Sequence, residues 1–146
     1  MVLLDSFAVI ALLTGEPAAP EVRGLLGDAR LTSTGVAEVI DRLVRVHGQS
    51  EEEVVLDLAE LGLLEALPVD AVDGVGAGVF RARHYHRTRR EVSLADCLVG
   101  QVARRAGASV ATADPHLLDL CDAEDIPTVP LPDASGRRPK KKKDPA

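Results

Sequence analysis

Apolar positions along this chain follow two rhythms. Short aliphatic or β-branched runs alternate with longer segments whose apolar residues recur at helical spacing. Val2 to Asp5 reads as a first strand, and Ser6 caps a helix through about Leu13 that Gly15 and Pro17 end. A short helix follows from about Ala18 to Gly27, then a strand at Leu31 to Ser33. Val36, Val39, Ile40, Leu43 and Val44 fall at i, i+3, i+4, i+7 and i+8, one stripe of a helix. The stretch SEEE at 50–53 reads as a capping box opening a helix to about Leu63. Ala66 to Val69 is a strand candidate, and Val72, Val75, Val79 and Phe80 form the apolar stripe of another helix. SLADC, from Ser93, opens a helix to about Ala106 that Gly107 stops. Ser109 to Thr112 is a strand, Asp114 and Pro115 stand as N-cap and N1 of a helix, and Pro127 to Leu131 closes with an edge-like strand.

Strands alternating with crossover helices predict an α/β fold with a parallel sheet covered on both faces. The 146 residues suit one domain, residues 1–135, followed by a basic tail, 136–146. Aromatics make up only 2% of the chain, so the core is built from Val, Leu, Ala and Ile. No run approaches the roughly 20 apolar residues that span a bilayer, and the N-terminus lacks the basic start of a signal peptide. These features predict a cytoplasmic protein without membrane association. Cys97 and Cys121 are too far apart for a CxxC pair, and Cys97 reads as a small buried hydrophobe.

Charge is unevenly divided. Of the net −6, Arg137, Arg138 and Lys140 to Lys143 against Asp144 give the tail +5, leaving −11 on residues 1–135. The tail reads as a solvated, disordered segment, with weak attraction to nucleic acid as its functional alternative. A body this acidic is unlike an ordinary DNA-binding domain.

Three acids occupy one kind of place. Asp5 ends the first strand, Asp114 follows the strand SVAT, and Asp96 lies in the first turn of the helix between them. Each has a plain reading as a turn or cap residue. In an open parallel sheet, however, ligands bind outside the carboxyl ends of the strands, and acids gathered there repel one another. Such a cluster takes up protons, gains cationic partners or binds a metal, and hard oxygen donors with few histidines suit Mg²⁺ or Mn²⁺. Gly100, one turn beyond Asp96, would leave open space beside it.

VLLDSFAVIALL, TSTGVAEVIDRLVR and SLADCLVGQVARRAGASVATADPHLLD, in this order, resemble the PIN-domain nucleases, and among them the VapC toxins of type II toxin–antitoxin systems. The resemblance covers about residues 1 to 131. It implies a PIN-like three-layer sandwich with a central parallel sheet of about four to five strands. It also implies a catalytic and metal-binding set of Asp5, Glu38, Asp96 and Asp114, supported by the polar Ser6 and Thr112. The implied activity is a Mg²⁺- or Mn²⁺-dependent endoribonuclease leaving 3′-hydroxyl and 5′-phosphate ends. The implied partners are an RNA substrate, a small antitoxin whose C-terminal segment blocks the site, a second copy in a homodimer, and operator DNA only through the antitoxin.

Read from spacing alone, Glu38 lies opposite the apolar stripe near Arg42 and Arg45, as an exposed salt-bridging residue. Asp41 is a rival ligand, and Asp119 is either a supporting group or an exposed helical acid. The stretch RARHYHRTRR, 81–90, holds seven Arg or His in ten residues. It is either a solvated helix end or a guide for RNA phosphates, with Arg83, Arg87 and Arg89 the first candidates.

Other classes fit less well. A receiver domain needs a lysine at its acid site, and residues 1–135 contain none. P-loop and GxGxxG motifs are absent, and the first strand ends Asp5-Ser6-Phe7 rather than in the DxD of a phosphatase. The alternative is a non-catalytic PIN-fold module acting through antitoxin and operator-DNA complexes.

Overall fold

Four parallel strands lie in the order β2-β1-β3-β4 in a computed structural model that describes residues 1–140. They are β1 (Val2–Leu4), β2 (Ala29–Arg30), β3 (Ser109–Thr112) and β4 (Thr128–Pro130). The helices are α1 (Ser6–Thr14), α2 (Ala19–Leu25), α3 (Ser33–Asp41), α4 (Glu51–Glu60), α5 (Ala71–His84), α6 (Leu94–Ala106) and α7 (Pro115–Ala123). A π-helical segment, Arg42–Val46, continues α3.

Side chains alternate across the strands and so build two cores. Leu4 and Ala111 face one core with Val9 and Ile10 of α1, Val39 and Leu43 of the α3 unit, and Val54 and Leu58 of α4. Their neighbours Leu3 and Val110 face the other, with Phe80 of α5, Cys97 and Val102 of α6, and Leu117 and Leu120 of α7. The result is a three-layer sandwich in which β1 and β3, the central strands, end side by side. Cys97 and Cys121 are free and buried, and burial pushes their thiols up to about 11 and about 12.

Four local expectations are corrected. The fifth strand at Ala66 to Val69 shrinks to one parallel bridge between Thr32 and Leu67, because the next residue, Pro68, has no N–H to continue a ladder. The second strand lies at Ala29–Arg30, since by Thr32 the chain has turned to cap α3, whose Gly35 N–H donates to the Thr32 hydroxyl at 2.9 Å. The SEEE stretch forms half a box: Glu53 N–H donates to Ser50 at 3.5 Å, and α4 ends at Glu60 ahead of a left-handed Gly62. On α5 the stripe points outward, with Val72 66%, Val75 69% and Val79 47% exposed. Asp73, Ala77 and Phe80 face inward instead, because Arg105 of α6 binds the Asp73 carboxylate through two hydrogen bonds of 2.8 and 2.9 Å.

The chain after β4 folds back on the body. Asp133 and Arg137 close a turn through a left-handed Gly136, and Arg138 pairs with Glu21 and donates to the Pro130 carbonyl at 3.0 Å. The start of the stretch read as a free tail is therefore anchored. Residues 141–146, with most of its lysines, lie outside the described residues.

Candidate active site

The site grows from the carboxyl ends of β1 and β3. Asp5 N–H donates to the Ala111 carbonyl at 3.0 Å, which fixes the residue at the edge of the ladder. Asp5, rather than Ser6, occupies the N-cap position of α1, yet its side chain makes no capping bond. Its carboxylate turns instead to Thr112, whose hydroxyl donates to Oδ2 at 2.7 Å, and to Ser6, whose hydroxyl donates to Oδ1 at 3.4 Å. All three side chains are buried.

Thr112 also accepts a 3.0 Å hydrogen bond from Asp114 N–H. That bond occupies an oxygen lone pair and leaves the hydroxyl proton for Asp5. Asp114 caps α7 by accepting from His116 N–H at 2.8 Å, with Pro115 at N1. Asp96 forms a full capping box: its N–H donates to Ser93 Oγ at 3.0 Å, and Ser93 N–H donates to its Oδ2 at 3.2 Å. Capping thus uses one carboxylate oxygen and leaves the other. Gly100 does not open this space, since a Cβ there would meet Ile126 and Leu120 in the core.

The charges of Asp96, Asp114 and Glu38 all act on Asp5. Burial, followed by the charge of Asp96 and then those of Asp114 and Glu38, pushes Asp5 up to about 7, and only the Thr112 hydrogen bond pulls it down. Burial and Asp114 raise Asp96, against the pull of Ser93 and His116. Burial and Asp96 raise Glu38, against Arg42. Glu38 is therefore half-buried near Asp96 rather than exposed, with Arg42 one turn on still acting on it. Asp41, its rival, is exposed and bound to Arg45 through bonds of 2.9 and 2.8 Å. Asp119 lies in a separate small recess with Asp122, Thr128 and Pro130.

The basic stretch divides. Arg83 pairs with Glu124 at 2.7 Å, as does His84 at 2.5 Å, and Arg90 donates to the other nitrogen of His84 at 3.0 Å. Arg81 stacks on Tyr85 and donates to the Val92 carbonyl. Arg87 and Arg89 are exposed. Periodicity missed two residues near the acids. Phe7, in the first turn of α1, is 53% exposed, with the Arg42 guanidinium 5.0 Å from its ring centre. His116 stands close enough for its charge to act on Asp96, and its buried Nδ1 has no hydrogen-bond partner among the described residues. Its only sequence signal was its place two residues after Asp114.

Phe7, Asp5 and Asp114 border a recess of about 420 Å³, walled by Ala8, Ala11 and Leu131. Among the described residues, no three His, Cys, Asp or Glu side chains are closed up as a formed metal cluster. The donor set is nonetheless suited to a hard divalent cation: oxygen donors only, and a buried Asp5 whose charge is opposed by its neighbours.

The sequence matches the profile of the PIN domain family over residues 2–123. Comparison with curated proteins gives no match. Among solved structures, FitAcB from Neisseria gonorrhoeae aligns with a TM-score of 0.65 at 22% identity, covering 88% of this chain and 96% of that one. FitAB bound to an IR36 DNA fragment aligns with a TM-score of 0.65 at 22% identity, covering 88% and 94%. VapBC2 from Rickettsia felis, bound to a DNA fragment from its promoter, aligns with a TM-score of 0.65 at 15% identity, covering 90% and 99%. At these identities the likeness is one of fold.

Proposed function

This chain belongs to the PIN domain family, and on that footing we propose that it is the toxin of a type II toxin–antitoxin pair and a metal-dependent endoribonuclease. PIN domains are typically metal-dependent nucleases. The observation that carries the proposal is the convergence of Asp5, Glu38, Asp96 and Asp114, three of them driven toward protonation by burial and by one another.

These four carboxylates would hold Mg²⁺ or Mn²⁺, which supplies Lewis-acid stabilisation at the scissile phosphate and a more acidic water. Thr112 holds Asp5 in one orientation through its donated proton, and Ser93 holds Asp96 through its N–H. Burial of Asp5 keeps bulk solvent from its carboxylate, so its charge acts in a medium of low polarity. Water adds across the phosphodiester bond, giving 3′-hydroxyl and 5′-phosphate ends, with no protein nucleophile. Arg87 and Arg89 contact the RNA backbone and offset the acidity of the body.

The partners follow from the same reading: a small antitoxin, and operator DNA through it. FitAB and VapBC2, both of similar fold, are bound to DNA in their structures, and this favours DNA-bound complexes as the second reading, a non-catalytic module. Homodimerisation is supported by the uncharged face of α5, where Val72, Val75 and Val79 are exposed and Gly74 and Gly78 meet nothing. Cytoplasmic residence is part of the proposal; among the described residues no helix is long and apolar enough to cross a membrane.

The test is cleavage of a panel of single-stranded and structured RNAs with Mg²⁺ or Mn²⁺, set against Asp96→Asn. Cleavage by the wild type alone is expected. RNAs left equally intact by both proteins would remove the nuclease reading and leave the DNA-bound module.

A further inference from the structure

Phe7 and Arg42 stand out from the rest of the surface. The chain has three aromatic residues: Phe80 is buried in a core, and Tyr85, 42% exposed under Arg81, borders a different recess with Gly78 and Leu94, so only Phe7 borders the recess of Asp5 and Asp114. Phe7 lies in the first turn of α1, two residues after Asp5, and remains 53% exposed. Arg42 begins the π-helical segment one turn after Glu38, and such widened turns often occur at functional sites. Its guanidinium lies 5.0 Å from the Phe7 ring centre, and its charge also acts on Glu38. One face of the ring therefore carries a cation, and the rest of the residue opens beside the acids.

We propose that Phe7 and Arg42 form a stacking platform for an unpaired nucleobase of the RNA substrate, next to the phosphate held at the acids. The inference rests on the nuclease reading and adds a determinant of which RNA is taken. Three features point to this occupant. An aromatic ring paired with a guanidinium is the combination that holds single-stranded nucleic acid, with the base on the ring and the cation near the backbone. The recess bordered by Phe7 has apolar walls, Ala8, Ala11 and Leu131, that suit a flat uncharged ring. Apart from the proposed metal ligands Asp5 and Asp114, its acidic side chains, Glu16 and Asp133, are carboxylates that suit the N–H groups of a base edge and repel a phosphate. The base thus enters the recess while its phosphate stays at the metal-binding acids.

The measurement is binding of a fluorescein-labelled single-stranded RNA to the Asp96→Asn protein, together with cleavage kinetics in the otherwise wild-type protein. Phe7→Leu keeps apolar bulk and removes the ring. It is expected to weaken binding by about 5- to 150-fold, the worth of one base–aromatic stack, and to raise KM in proportion. Phe7→Trp is expected to restore both, and Arg42→Gln to weaken both. Binding of a blunt RNA duplex, which offers no unpaired base, is expected to be unchanged. Unaltered melting temperatures establish that the variants are folded. A Phe7→Leu protein that binds and cuts single-stranded RNA like the wild type overturns the platform and leaves the nuclease intact. If neither protein binds or cuts any RNA, the nuclease reading falls and the platform with it. If Phe7→Leu alters capture of an antitoxin-like peptide but not of RNA, the face serves a protein and the proposal is likewise overturned.

Discussion

The Thr112 hydroxyl donates a 2.7 Å hydrogen bond to Oδ2 of Asp5 across 107 residues of sequence, and accepts the N–H of Asp114 on its other side. One side chain thus ties together the two acids that end the central strands. Thr112→Val removes the donor and leaves the Asp114 N–H without its acceptor. The expected cost is about 1–3 kcal/mol in urea unfolding, with most of the cleavage activity lost. The cost should be larger at pH 8 than at pH 5, since the bond favours the charged form of Asp5. Thr112→Ser should restore both stability and activity.

Asp5 links the site to pH. Its folded value is about 7 against an ordinary 3.8, so between these values the native state binds more protons than the unfolded one. Stability of the metal-free protein therefore falls as pH rises from about 4 to 7 and levels off above that. The contribution of Asp5 to the slope in this window is at most about 1.4 kcal/mol for each step of one in pH. Asp96 and Glu38, also raised, act in the same direction. Thermal melts at pH 5 and pH 8 test this. Asp5→Asn should raise the melting temperature of the metal-free protein at pH 8 while abolishing cleavage. Mg²⁺ or Mn²⁺ should stabilise the wild type at pH 8, because it binds the native state alone. A metal-free wild type as stable at pH 8 as at pH 5 would contradict the burial of a charged Asp5.

Arg83 and Arg87 should separate. Arg87→Gln is expected to weaken RNA binding and to reduce the slope of log affinity against log salt by about 0.7, the share of one phosphate contact on a single strand. Arg83 is committed to Glu124, so Arg83→Gln should leave that slope nearly unchanged. Titrations at several salt concentrations compare the two.

Arg105→Met removes the ion-pair partner of the buried Asp73 carboxylate and leaves it the N–H of Asp70. Because Arg105 is more than a third exposed, a loss of about 1–3 kcal/mol is expected in urea unfolding. Asp73→Asn combined with Arg105→Met should cost less than Arg105→Met alone, because no unpaired charge is then buried.

Val75 is 69% exposed on α5, so Val75→Asp should leave the monomer folded. Sedimentation is expected to show a dimer for the wild type and a monomer for this variant. A variant that sediments as the wild type does would place the contact between copies elsewhere.

Much of this protein was legible in its local chemistry. The order of strands and helices followed from periodicity and punctuation, and Asp5 and Asp114 stood out because parallel strands finish on one edge. Asp114 before Pro115 and Asp96 after Ser93 could be placed in helix first turns, because caps are made by residues within one turn of each other. What remained undecided involved neighbours distant in sequence. Spacing set the angle of Val72, Val75 and Val79 on α5, but Arg105 on α6 decided that the Asp73 side faces inward. Glu38 and Asp41 were rivals on one helix until the packing of α3 placed Glu38 beside Asp96 and left Asp41 to Arg45. The pairing of Arg83 and the exposure of Phe7 were out of reach for the same reason: the partner of the first is 41 residues away, and the second occupies an apolar run yet faces solvent under Arg42. Periodicity and capping are short-range effects that the sequence determines by itself, whereas burial, charge coupling and the direction a face takes depend on contacts that exist only after the chain has closed on itself.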